Sequence, residues 1–129
     1  MAEALARKYG SDVIVPASAG LAPAIQNHAL TRAVLLEKNV DLGNHMPRRL
    51  SDVKLKSYDL LVNMSGSRLP DSLEVPVETW PVADPFGRSE DAFRRCRDEI
   101  EMLVMHLILR MRTGKFDAPI DSGAASSRQ

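Results

Sequence analysis

The sequence feature that most restricts the fold is a near-continuous apolar run in the middle of the chain, Asp59-Leu60-Leu61-Val62-Asn63-Met64. A strand with one solvent-exposed face alternates apolar and polar side chains, whereas a near-continuous apolar run is typical of a strand that is buried on both faces. Such strands occur in parallel sheets that helices cover. This run is therefore expected to lie inside an α/β fold.

Helical patterns flank the apolar run on both sides. Ala2–Tyr9 and His28–Lys38 carry apolar residues at helical spacing, and Ser89 is the predicted N-cap of the longest helix. The apolar stripe of that last helix consists of Phe93, Cys96, Ile100, Leu103, Leu107 and Met111. Helices that alternate with apolar strands predict a parallel, doubly wound sheet.

Two further segments are strand candidates, Asp12–Val15 and Val75–Val82. At most three strands are therefore visible, and the chain starts on a helix, although a doubly wound unit normally opens with a strand. The predicted fold class is an α/β, parallel doubly wound sheet with its first strand absent. We expect one domain over residues 1–113 and a small, polar, disordered tail over residues 114–129.

Composition excludes several classes of function. The 17 basic and 17 acidic residues give no net charge, so no nucleic-acid partner is predicted. The single cysteine, Cys96, excludes a disulfide framework and a multi-cysteine zinc site, and it favours a reducing, cytoplasmic setting. The longest apolar run, Met102–Leu109, is too short for a membrane helix, and residues 1–4 include an early acid unlike a signal peptide. No metal or cofactor is expected.

Five segments carry a family resemblance through their order and spacing. They are Met1–Leu5, Ser18–Gly20, Leu42–Leu50, Tyr58–Met64 and Trp80–Gly87. Together they resemble the low-molecular-weight protein tyrosine phosphatases and the related arsenate reductases, over about residues 1–112. In that family a hydrophobic strand leads into a C-x5-R-S phosphate-binding loop, and a helix that begins like Met1–Leu5 follows the loop.

The resemblance implies a specific chemistry. A cysteine thiolate attacks phosphorus to form a phosphocysteine, while loop amides and the loop arginine hold the phosphate oxygens. An aspartate protonates the leaving oxygen and then activates water. By resemblance Asp84 is the general acid and Phe86 lines the substrate rim. The implied substrates are phosphotyrosine or small phosphate esters, and the arsenate reductases instead use a relay of further cysteines.

The nucleophile and its loop are missing from this sequence. No C-x5-R occurs, because Arg97 to Glu101 follow Cys96 and Met102 comes next. Cys96 lies on the apolar stripe of the last helix and is predicted to be a small core residue. The chain is therefore expected to be a catalytically incompetent relative of these hydrolases.

Two origins are compatible with this sequence. Met1 is either an internal methionine of a truncated enzyme or the true start of a non-catalytic binding or regulatory homologue. The missing strand is central in the family and lies between the strands that correspond to Asp12–Val15 and Asp59–Met64. Its absence leaves two rows of unpaired backbone groups, so we expect a homodimer through exposed strand edges.

Overall fold

The computed structural model describes residues 1–20, 29–42, 48–70, 72–83, 85 and 88–114. Its elements are helices α1 (Ala2–Gly10), α2 (Ala29–Leu36) and α3 (Glu90–Arg112), strands β1 (Leu61–Asn63) and β2 (Val77–Thr79), and the short 3-10 turns Leu50–Asp52 and Leu55–Ser57. Among these described helices, none is long and apolar enough to cross a membrane.

The two strands form a parallel sheet that is covered on both faces. Leu61 pairs with Val77, and Val62 pairs with Glu78. Because successive side chains point to opposite faces, Leu61 packs with Leu69 in one apolar cluster while Val62 joins the cluster formed by the helices. All three β1 residues are buried. The apolar run around β1 thus behaves as predicted.

Helix α3 is the centre of the helical layer and packs against both α1 and α2. Its first turn is capped by Ser89, whose Oγ accepts a hydrogen bond from the Ala92 N–H at 3.2 Å. Its buried residues are Phe93, Cys96, Arg97, Ile100, Val104, Leu107 and Ile108. The predicted cap is confirmed. Of the predicted apolar stripe, Phe93, Cys96, Ile100 and Leu107 are buried, while Leu103 and Met111 are partly buried against the core.

Helix α2 ends in a left-handed residue that reverses the chain. Asn39 has φ 59°, and its N–H donates to the Leu36 carbonyl at 2.9 Å. The Val40 N–H donates to the Leu35 carbonyl at 3.0 Å, which completes a Schellman motif. Val40 and Leu35 are both buried. The cap therefore returns the chain to the core directly after the helix.

The strand predicted at Asp12–Val15 is wrong. The Val13 and Ile14 N–H groups both donate to the Gly10 carbonyl at 2.9 Å, so the chain turns here, and Val15 is 88% exposed. A strand exists only where a neighbour completes its hydrogen-bond ladder, and no described strand lies beside this segment. The apolar content of the segment predicted a strand, but it carried no information about a neighbouring strand.

Gly10 allows α1 to approach α3 closely. A Cβ atom on Gly10 would lie 2.7 Å from Cγ1 of the fully buried Ile108. We expect Gly10→Ala to destabilise the protein by about 1–3 kcal/mol through overpacking, measured as the free energy of urea unfolding. The exposed neighbour Ser11 offers a control as Ser11→Ala. Helix propensity alone predicts the opposite sign, so a stabilised Gly10→Ala variant would contradict the close approach.

Glu37 joins α2 to α3 and generates a pH dependence. Hydrogen bonds from Arg94 and Arg97, at 2.9 and 2.6 Å, lower the pKa of Glu37 from 4.5 to about 2. A lowered folded-state pKa stabilises the fold above pH 4.5, and this contribution is lost as the pH falls towards 2. We expect Glu37→Gln to flatten the dependence of the unfolding free energy on pH in this window.

The control for this measurement is Glu99→Gln, because Glu99 is an exposed α3 carboxylate without an ion pair in the described part of the chain. This control should keep the slope of the parent protein. An equally flat profile in both variants would show that the Arg94–Arg97 pairing does not govern acid stability.

Candidate functional site at the carboxyl edge of the sheet

The carboxyl end of β1 is fixed by a buried amide. Asn63 is 2% exposed, and its Nδ2 donates to the Ser67 carbonyl at 2.8 Å. Its Oδ1 accepts from the Ser65 N–H at 2.9 Å and from Ser65 Oγ at 2.6 Å. Gly66 supplies the positive φ of 77° that the turn requires. One side chain thus defines the loop that leaves β1.

The carboxyl end of β2 leads towards the predicted general acid. The Trp80 N–H donates to the Asn63 carbonyl, and the Val82 N–H donates to the Trp80 carbonyl, both at 2.9 Å. The two strand ends therefore leave the sheet side by side, with a tight turn after Trp80. Asp84 and Phe86, the predicted acid and rim residue, lie outside the described residues.

A buried ion pair anchors the same end of β2 to α3. Glu78 is 3% exposed, and Nη2 of Arg110 donates to its Oε1 and Oε2 at 3.0 and 2.9 Å. Trp80 Nε1 donates to Glu78 Oε2 at 2.8 Å. The carboxylate thus accepts from two side chains, as a buried charge requires. It fixes Trp80, from which the chain continues to Asp84.

The start of α1 lies beside the segment that ends at Gly20. Met1 precedes the helix without a side-chain cap. Glu3 accepts a hydrogen bond from Ser18 Oγ and also pairs with Arg7. A carboxylate in the first turn complements the positive end of the helix dipole. The same negative charge opposes binding of a further anion at this helix start.

Cys96 is not placed as a nucleophile. Its side chain belongs to the buried cluster of the helical layer, with 8% of the residue exposed. The adjacent Arg97 directs Nη1 to the Val34 carbonyl at 2.9 Å and to Glu37 at 2.6 Å. Arg97 therefore binds α2 and is committed to holding the helices together.

A cavity of about 550 Å³ opens between the segment Val13–Ser18 and β1. Helix residues line one side and the 3-10 turns line the other, and the apolar contributors include Ala6, Val104, Leu107, Leu50 and Leu55. Glu3, Ser18, Arg48 and Asp59 are among its polar residues. The cavity therefore reaches from the helical layer, past the edge of β1, to the opposite face of the sheet.

The structure brings together some residues that the sequence singled out and one pair that it did not. Cys96 lies in the core, as predicted, and Trp80 is also buried. The ion pair of Glu78 and Arg110 was missed. The sequence contained one signal for the position of Glu78. The period of two in a strand places Glu78 and Trp80 on the same face of β2. The described residues contain no cluster of His, Cys, Asp and Glu that could hold a metal.

Residues 1–115 match the sequence profile of the low molecular weight phosphotyrosine protein phosphatases. Since the match covers most of the chain, the protein belongs to this family. The resemblance inferred from the five ordered segments is confirmed.

Similar proteins within this family bear the name of arsenate reductases. A Halobacterium salinarum protein, provisionally named an arsenate reductase, is 33% identical over 102 residues, which are 78% of this chain and 72% of that protein. The glutaredoxin arsenate reductase of Synechocystis is 25% identical over 115 residues, or 86% of this chain and 87% of that protein.

Solved arsenate reductase structures share the fold. The Archaeoglobus fulgidus enzyme superposes with a TM-score of 0.73 at 28% identity, covering 83% of this chain and 86% of that chain. An arsenate reductase in its phosphate-binding state superposes with a TM-score of 0.74 at 26% identity, covering 85% and 86%. The predicted α/β fold of the phosphatase type is therefore confirmed at this level.

The burial of Cys96 can be measured directly. We expect a thiol reagent to label it slowly in native buffer and at once in denaturant, because the reagent needs an exposed thiolate. The measurement is the labelling rate by mass spectrometry across a urea series, with rates that follow the unfolded fraction. Complete labelling within seconds in native buffer would show that α3 does not bury its stripe.

Proposed function

We propose that this chain is a member of the low-molecular-weight phosphatase family that does not, by its 129 residues alone, hydrolyse phosphomonoesters. One observation carries the proposal: the single cysteine lies buried within α3, and no C-x5-R sequence occurs. Family membership rests on the match over residues 1–115. The family's α/β scaffold is retained, and the nucleophile is not.

The acid step of the family's reaction depends on nucleophilic attack. In the family's reaction, the general acid assists departure of an oxygen only when a nucleophile attacks phosphorus. Asp84 would hold the acid position, but without a thiolate it has no attack to assist. Glu3 already places a negative charge at the positive end of the α1 dipole. The start of this helix is therefore a poor substitute for the phosphate-binding loop.

We also propose that the sheet formed by these 129 residues lacks the family's central strand. A cavity between Val13–Ser18 and β1, where no described strand lies beside Asp12–Val15, supports a doubly wound sheet without its central strand. The cavity lies between the two segments that would flank that strand. On this interpretation the chain supplies the outer layers of the site and the acid loop, while the strand and loop that hold phosphate are not among its residues.

Arsenate reduction is the second candidate, favoured by the names of the similar proteins. Reducing arsenate to arsenite takes two electrons, which two thiols supply on forming one disulfide. This chain has one cysteine, so the second thiol would come from an external compound such as glutathione. Cys96 would have to leave the core before it attacked arsenic, which its burial opposes.

We expect no hydrolysis of an aryl phosphate above the rate of an Asp84→Ala control. The thiolate and the preorganised donors supply most of the rate enhancement at such sites, and the sequence contains no C-x5-R loop to provide them. The measurement is release of the phenol product at several protein concentrations. Turnover that scales with protein and disappears in Asp84→Ala would overturn the proposal and require another nucleophile.

The same preparations distinguish the second candidate. Arsenite formed from arsenate in the presence of glutathione should be the same for the parent chain and for Cys96→Ser. Arsenite formation that depends on Cys96 would instead assign the chain to the arsenate reductases in activity as well as in fold.

A further inference from the structure

The carboxyl ends of α1 and α2 meet the middle of α3 at one carboxylate. The Tyr9 hydroxyl donates to Oε2 of Glu101 at 2.8 Å, and Nζ of Lys38 lies 3.5 Å from Oε1 of the same side chain. Tyr9 belongs to α1, Lys38 directly follows the end of α2, and Glu101 lies in α3. These three side chains are termed the helix junction. A single carboxylate thus joins all three helices.

The helix junction is partly shielded from water. The side chain of Glu101 is 22% exposed and that of Lys38 is 38% exposed. The ring of Tyr9 packs against the buried cluster of the helical layer. The Tyr9 hydroxyl is therefore positioned by helix packing as well as by its hydrogen bond to Glu101.

The neighbouring charged groups are engaged in bonds of their own. Arg112 in α3 donates from Nη2 to the Tyr9 carbonyl at 3.0 Å, and its guanidinium pairs with Asp12 at 2.9 Å. Nζ of Lys8 donates to the Asn39 carbonyl at 3.2 Å. These contacts attach the end of α1 to α3 and to the end of α2, and their donors keep their bonds whether or not the phenol is ionised.

The charge of the helix junction depends on one proton. With the phenol protonated, the opposite charges of Glu101 and Lys38 cancel. Loss of the proton would place a phenolate oxygen 2.8 Å from a carboxylate oxygen and would remove the donor of their hydrogen bond, and one ammonium group cannot neutralise two anions. The hydrogen bond to Glu101, together with burial and the charge of the same carboxylate, raises the pKa of Tyr9 above its ordinary value of 10.0.

We propose that the helix junction is an alkaline-sensitive latch, which is closed while Tyr9 holds its proton and opens when the phenol ionises. Opening loosens the carboxyl ends of α1 and α2, whereas the pair of Arg112 and Asp12 keeps α1 attached to α3. Because the pKa of Tyr9 is raised in the folded state, the stabilisation is complete below pH 10.0 and is lost as the pH rises through the folded-state value. This inference is independent of the activity proposed above.

The first test is a spectroscopic titration of the whole chain. Tyr9 and Tyr58 are its two tyrosines, so the tyrosinate absorbance of the variant Tyr58→Phe reports Tyr9 alone. We expect the transition of the folded variant to lie at a higher pH than the transition of the same variant unfolded in urea. Coincident transitions would show that Glu101 does not hold the phenol proton, and they would overturn the proposal.

The second test measures opening by limited proteolysis with subtilisin across the tyrosinate transition. Cleavage near the ends of α1 and α2, normalised to the rate on the unfolded chain and located by mass spectrometry, should rise roughly tenfold, the factor that the loss of a hydrogen bond to a charged group corresponds to. Tyr9→Phe cannot ionise and should give a flat profile, whereas Tyr58→Phe should retain the rise. The same rise in Tyr9→Phe would contradict the latch.

A third variant separates charge repulsion from loss of the hydrogen bond. In Glu101→Gln the amide oxygen still accepts from the phenol, but no second anion lies beside the phenolate, which Lys38 can then neutralise. The Tyr9 transition should shift to lower pH, and the rise in cleavage should be smaller. Glu99→Gln, at an exposed α3 carboxylate, should leave both unchanged. If Glu101→Gln behaves like Glu99→Gln, the proposal is wrong, and the titration of Tyr58→Phe decides even if Glu101→Gln does not fold.

Discussion

The buried stripe of α3 is the constraint on which the rest of the structure depends. The helix packs against α1 and α2 and reaches β2 through Arg110. Because Ile108 leaves no space for a side chain at Gly10, the distance between α1 and α3 is set by one glycine. The placement of the carboxyl end of β2 therefore follows from helix packing.

Patterns that depend on burial were readable from the sequence. The apolar run around β1, the Ser89 cap and the stripe that includes Cys96 follow from periodicity and capping chemistry, which are local properties. The assignment of Asp12–Val15 to a strand failed because pairing is a property of two segments. Val13 and Ile14 carry the right side chains for a strand, but the chain turns after Gly10 and meets no neighbour.

The candidate site was less predictable than the fold. Asp84 and Phe86 were assigned through resemblance to a family, and they lie outside the described residues. Glu78 and Arg110 are 32 positions apart, so no local pattern joins them. Family membership fixes the scaffold, while activity depends on a few residues placed on it. The buried Cys96 illustrates this difference, since a cysteine in this family need not be its nucleophile.

The ion pair of Glu78 and Arg110 has a consequence for behaviour at different temperatures. Hydration of charged groups becomes less favourable as temperature rises, so removing these two groups from water costs less in a warm protein than in a cold one. Apolar burial also strengthens on warming from the cold, but its stabilisation per unit area levels off at higher temperature. The attachment of β2 to α3 should therefore depend less on the ion pair in the cold and more on it near the melting transition, where Glu78 and Arg110 take a growing share in holding Trp80 against the helical layer.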